Sequence, residues 1–106
     1  MSGKAYFMLS LCRKSGNLKS GAETVENLIK NGEAKLVIIP EDAGENTKKK
    51  YSDKCSFYGV DIIIKGTVED INRSTGNFNK TTFAIVDEGL AKAVKKAFYD
   101  ETDIKG

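Results

Sequence analysis

The sequence predicts an α/β protein built as a three-layer α/β/α sandwich, and three observations carry that reading. Leu36-Val37-Ile38-Ile39 is an unbroken aliphatic run closed by Pro40, the pattern of a strand covered on both faces. Segments with apolar residues at helical spacing alternate with this run and with two further short apolar runs. The 106 residues are 40% hydrophobic, enough to fill one core and not two, so a single domain over 1–106 is expected, its core at about 5–98.

The elements follow in order. Residues 4–14 carry Ala5, Met8, Leu9 and Cys12 on one helical stripe, broken by Ser15-Gly16-Asn17. Leu18-Lys19-Ser20-Gly21 is at most a short extended piece. A second helix over about 22–31 gathers Ala22, Val25, Leu28 and Ile29, and Asn31-Gly32 supplies its stop. After the strand at Leu36, a third helix is expected from about Asp42 to Tyr58, with Thr47, Tyr51, Cys55 and Tyr58 as its inner line. Val60 to Ile64 reads as another strand, less purely apolar because of Asp61. Val68 to Ser74 is a short helix ended by Gly76, and Phe83 to Val86 is the last strand. A final helix from about Asp87 carries Leu90, Ala91, Val94, Ala97 and Phe98, and the acidic segment from Asp100 is expected to fray. Lys48-Lys49-Lys50 splays around its helix as a solvated face.

Composition closes off several functions. Histidine is absent, which removes the commonest general base, imidazole-based triads and most zinc sites. No run approaches the roughly 18 apolar residues of a membrane helix. Ala5 to Cys12 follows Lys4 somewhat as a signal-peptide core would. It is short, lacks a small-residue cleavage site and runs into Arg13-Lys14, so a cytoplasmic protein is expected. Cys12 and Cys55 share no CxxC spacing and read as reduced, buried hydrophobes. No cofactor, metal, membrane or small-molecule substrate is expected. Glu41-Asp42, just after a strand, is the best acidic candidate for chemistry. The simpler reading is that Asp42, three residues before Glu45, caps the third helix. Asp87-Glu88 likewise opens the last helix, where negative charge complements the dipole. Neither Ser15-Gly16 nor Ser20-Gly21 matches a nucleotide-binding glycine fingerprint.

Charge distribution says more than the net charge of +2. Residues 1–35 hold six basic residues against three acidic ones, whereas residues 81–106 hold four lysines against five acids. The basic end contains the small-residue stretch from Ser15 to Gly21 that leads into a helix N-terminus. Backbone N–H groups there, with Lys14 and Lys19, form a candidate phosphate-binding surface.

The stretch Lys14-Ser15-Gly16-Asn17-Leu18-Lys19-Ser20-Gly21, the spacing to Asn31-Gly32, and Ala34 to Ile39 with Glu41-Asp42 resemble the ribosomal protein L-seven-Ae/L-thirty-e superfamily. Asn46 to Lys50, Asp53-Lys54-Cys55, Tyr58 and Asp87 to Lys92 look like its bacterial YlxQ-like branch. The resemblance implies a four-stranded mixed sheet, its fourth strand at Leu18. It implies non-catalytic binding of structured RNA, a kink-turn or related internal loop in ribosomal RNA or an RNA–protein complex. A monomer is expected in the absence of RNA. Carried over, the RNA-binding residues are Lys19, Ser20, Gly21, Ala22, Glu23, Thr24, Asn27 and Asn31, with Asn77, Phe78, Asn79 and Lys80 in a second loop. Kink-turn readers of this family carry asparagine then glutamate after the Gly-Ala pair, and a lysine three residues further on. Glu23, Thr24 and Asn27 stand there in this chain, which implies a retained phosphate grip with weaker base reading. The competing expectation is a protein-interaction or accessory domain that has kept the fold and lost specific RNA contacts.

Overall fold

The computed structural model describes the backbone of residues 3–105 and the side chains of residues 3–100. Nine elements follow one another: α1 (Gly3–Lys14), β1 (Leu18–Ser20), α2 (Ala22–Lys30), β2 (Leu36–Ile39), α3 (Glu45–Tyr58), β3 (Ile62–Ile64), α4 (Val68–Thr75), β4 (Phe83–Ile85) and α5 (Glu88–Lys105). The strands form one mixed sheet in the order β1-β4-β2-β3. β2 and β3 are parallel, and β4 runs antiparallel to both β2 and β1. The α/β/α sandwich with a four-stranded mixed sheet is as expected.

β2 shows how the sequence imposes three layers. All four of its residues are buried, and its side chains alternate between faces as a period of two requires. Leu36 and Ile38 join Ala5, Leu9 and Cys12 of α1, Ile71 of α4, and Val94 and Phe98 of α5. Val37 and Ile39 join Val25 and Ile29 of α2 and Tyr51 and Cys55 of α3. Three helices therefore cover one face of the sheet and two cover the other. Each such aliphatic burial contributes about 1.5–3 kcal/mol, which is why this strand is fixed in register. Both cysteines are free and buried, one in each core, as expected.

Four local expectations change. The third helix begins at Glu45 rather than Asp42, and its N-cap, Gly44, makes no side-chain capping bond. Asp42 caps a different helix: its Oδ1 accepts from the Val68 N–H at 2.8 Å, beside Thr67 Oγ1, which accepts from the Asp70 N–H at 3.1 Å. Tyr58 leaves the inner line and is 41% exposed. It lies in the last turn of α3, where it packs edge-to-face on Phe57, ring centroids 4.9 Å apart. β3 starts at Ile62, because the Val60 N–H is still engaged in closing α3, donating to Cys55 O at 2.9 Å. α5 continues past Asp100 as helix to Lys105. Asp87 opens α5 as expected, its Oδ2 accepting from the Leu90 N–H at 2.8 Å. The three consecutive lysines of α3 do splay: Lys48 reaches Glu45, Lys49 reaches Asp53, and Lys50 crosses to Glu26 of α2.

Candidate functional site

The stretch from Ser15 to Gly21 resolves into a turn, the edge strand β1 and a glycine cap. The turn is held by the Asn17 N–H donating to Cys12 O at 2.8 Å. Within β1, Leu18 pairs with Ile85, Lys19 with Ala84 and Ser20 with Phe83. Ala84 belongs to the core beneath α2 and α3, so alternation sets Lys19 on the α2 side of the sheet edge, where it is exposed. Lys14 lies at the opposite end of β1 from Gly21.

Gly21 is the N-cap of α2 with φ 104 and ψ 144, a backbone region that only glycine occupies without strain. Its N–H donates to Thr82 O at 3.1 Å, and its carbonyl accepts from the Val25 N–H at 2.9 Å. Glycine serves a second purpose here, because a side chain at this position would point toward the Lys80 ammonium, 3.8 Å from where its Cβ would lie. No side chain caps α2, and Ala22, Glu23 and Thr24 of its first turn are exposed. Asn27 and Asn31 continue down the exposed side of the same helix.

The second predicted loop, between α4 and β4, is brought to this helix end by the β1–β4 pairing. Ser20 Oγ donates to Asn77 Oδ1 at 3.1 Å, joining residues 57 positions apart. Asn77 Nδ2 in turn donates to Thr75 Oγ1 at 2.9 Å. Phe78 is 82% exposed, and Asn79 adopts a left-handed φ of 56, a conformation asparagine tolerates better than most residues. Asn72 holds the loop from below. Its Oδ1 accepts from the Lys80 N–H at 2.9 Å, while its Nδ2 donates to Lys80 O at 2.9 Å and to Val68 O at 2.7 Å.

The first turn of α2 is braced from α3. The Tyr51 hydroxyl is shared between Ala22 O at 3.3 Å and Glu26 Oε2 at 3.2 Å. Lys50 Nζ lies 2.7 Å from the same Glu26 oxygen. That ammonium holds the Glu26 carboxyl below its ordinary range despite partial burial. Glu26 is therefore occupied as a structural anion. Among the described residues Lys14, Lys19 and Lys80 form no ion pair, unlike the lysines of α3 just named.

The structure thus brings together Lys19, Ser20, Gly21, Ala22, Glu23 and Thr24 with Asn77 and Lys80, and sets Asn27, Asn31, Phe78 and Asn79 along the margins. It leaves Lys14 apart. Sequence reasoning missed Asn72, Glu26 and Thr82. Asparagine in mid-helix ordinarily reads as a solvated residue, and nothing in its neighbours marks Asn72 as buried. Among the described residues no group of three or more His, Cys, Asp or Glu could hold a metal ion, and no helix is long and apolar enough to cross a membrane.

An uncapped helix N-terminus flanked by unpaired lysines, on the edge of an α/β/α sandwich, defines a protein whose open surface suits an anionic partner. The chain belongs to the Ribosomal protein L7Ae/L30e/S12e/Gadd45 family, whose pattern matches residues 3–95. It is 37% identical over 92 residues to the RNA-binding protein YlxQ of Bacillus subtilis (strain 168), covering 86% of this chain and 92% of that protein. It is 39% identical over 93 residues to the RNA-binding protein YlxQ of Enterococcus faecium, covering 88% and 89%. A protein of unknown function from Bacillus halodurans has the same fold with a TM-score of 0.86 at 29% identity, over 91% of this chain and 97% of that one. The Giardia lamblia 15.5kD RNA binding protein shares the fold alone, with a TM-score of 0.72 at 19% identity over 90% and 82%.

Proposed function

We propose that this chain is a non-catalytic RNA-binding module of the bacterial cytoplasm that grips a structured RNA, of kink-turn or related internal-loop type, at the start of α2. The observation that carries this reading is the glycine cap: first-turn amides of α2 that no side chain caps, with the Lys80 ammonium beside Gly21. Two relatives that this chain matches over most of their length are named as RNA-binding proteins, which supports the same partner. Backbone amides and lysines hold phosphates whatever the base sequence. Base reading is the weaker half, because Thr24 offers one hydroxyl where a carboxylate could accept from guanine. A charged hydrogen bond is worth roughly 1.5–3 kcal/mol, or about one to two decades of affinity. A ribosomal RNA or RNA–protein complex is the proposed setting, and the free protein is a monomer.

The test titrates one labelled kink-turn and one plain duplex at two salt concentrations. The kink-turn binds with modest preference and both show a clear salt slope. Lys19→Glu weakens both RNAs nearly uniformly, and Thr24→Glu strengthens the kink-turn selectively by about ten- to a hundredfold. Failure of both RNAs to bind at low salt overturns the reading. The second reading, a protein-interaction domain, would then lead. It is favoured by one observation, the exposed edge-to-face pair Phe57 and Tyr58 at the end of α3.

A further inference from the structure

We propose that Asn72, a buried residue of α4 that is not part of the RNA-facing surface, is the positioning residue that gives Lys80 its place over the start of α2. The inference rests on the RNA-binding reading and adds to it a residue outside the expected interface. Asn72 is 6% exposed, and both ends of its carboxamide are spent on one residue. Its Oδ1 accepts from the Lys80 N–H and its Nδ2 donates to Lys80 O, each at 2.9 Å. This two-point pairing, ordinarily made by a neighbouring strand, fixes the Lys80 backbone where the chain has not yet entered β4. The third bond, from Nδ2 to Val68 O at 2.7 Å, ties the carboxamide to the first turn of α4. That turn is itself anchored by Asp42 and Thr67.

The loop has a second fastening, and it acts elsewhere. Ser20 and Asn77 join the start of the loop to β1, but among the described residues no hydrogen bond ties either of them to Lys80. Between the two fastenings lie only Phe78 and Asn79, both exposed. Without Asn72 the backbone of Lys80 loses both of those partners, and its ammonium is free to swing away from Gly21. A lysine held in place forfeits less freedom when it meets a phosphate than one that must first be ordered. Asn72 thus acts on RNA affinity only through Lys80.

The experiment is a double-mutant cycle on the full chain, with the kink-turn RNA as ligand. Lys80→Ala lowers affinity several-fold and reduces the salt slope by about one, the signature of one lost phosphate contact. Asn72→Ala is expected to do nearly the same. The double variant binds no worse than Lys80→Ala alone. A loss caused by general destabilisation would instead add to that of Lys80→Ala and leave the salt slope unchanged, and that result overturns the inference. Asn72→Asp is the second variant. It keeps the acceptor for the Lys80 N–H but turns a carboxylate oxygen toward two carbonyls, so its affinity relative to wild type recovers as pH falls and the acid regains a donor. A ratio that stays flat with pH also counts against the positioning role. Wild-type protein that binds no RNA overturns the RNA-binding reading and this inference together. Wild-type binding with Asn72→Ala unaffected overturns this inference alone.

Discussion

Tyr51 is 2% exposed, yet its hydroxyl is wedged between a helix carbonyl and the Glu26 carboxylate. Burial first, and the neighbouring negative charge second, push the phenol up to about 12 from its ordinary 10.0. The sign follows from linkage. Below about pH 10 the phenol is neutral in both folded and unfolded chains, and its contribution to stability is fully present. As pH rises toward 12 the unfolded chain ionises first, so that contribution is lost. Burial pushes the Cys55 thiol up to about 11, which acts over an overlapping alkaline range with the same sign. Thermal melts are therefore expected to be level up to about pH 9 and to fall steeply above it. Tyr51→Phe should show a shallower alkaline fall than wild type. An equal fall in the two proteins would show that the Tyr51 phenol is not the group involved. Tyr51 was legible in the sequence as an inward residue of α3, because its spacing to Cys55 is one helical turn. Its bond to Ala22 was not legible, since nothing local in residues 45–58 encodes which carbonyl of a distant helix will face the ring.

At the scale of elements, the capping pattern was legible in kind and misleading in address. Asp42 and Glu45 have the spacing of a cap and its reciprocal partner, which is why a helix start at Asp42 follows from sequence. Pro40 to Gly44 instead forms a turn, in which the Ala43 N–H donates to Pro40 O at 3.1 Å, and the freed carboxylate reaches α4. A bond between residues 26 positions apart outcompetes a local one, and no window on the sequence contains both partners. Asp42→Ala should cost about 1 kcal/mol, as lost caps do. Asp42→Asn, which keeps an acceptor, should cost a few tenths. Urea unfolding monitored by circular dichroism measures both, and equal losses would assign the effect to charge rather than to capping. β1 was barely legible for a different reason. It is three residues long with one buried side chain, too short for alternation to stand out, and it exists because β4 offers it a partner.

For the molecule as a whole, the two cores on either side of the sheet were legible because β2 carries both of them in four residues. Ile38 is wholly buried on the α1 side, whereas Phe57 is 80% exposed. Ile38→Ala should destabilise by about 2–5 kcal/mol, a large share of the 5–15 kcal/mol typical of domains. Phe57→Ala should stay within about 0.5 kcal/mol. Chemical denaturation of the two variants checks this, and a large loss at Phe57 would mean that its ring contributes more to the folded chain than the single edge contact with Tyr58. The candidate surface was legible in its first half, a glycine before a helix, and illegible in how its second half is held. The Ser20–Asn77 bond spans 57 positions, and that separation has a consequence in time. During synthesis the glycine cap leaves the ribosome long before Lys80, and β4 follows Lys80. The surface is absent from any nascent chain that has not yet released β4, however well its first helices have formed. On the RNA-binding reading proposed above, recognition is confined to chains that have released β4, and a shorter nascent copy cannot compete with them for the same ligand.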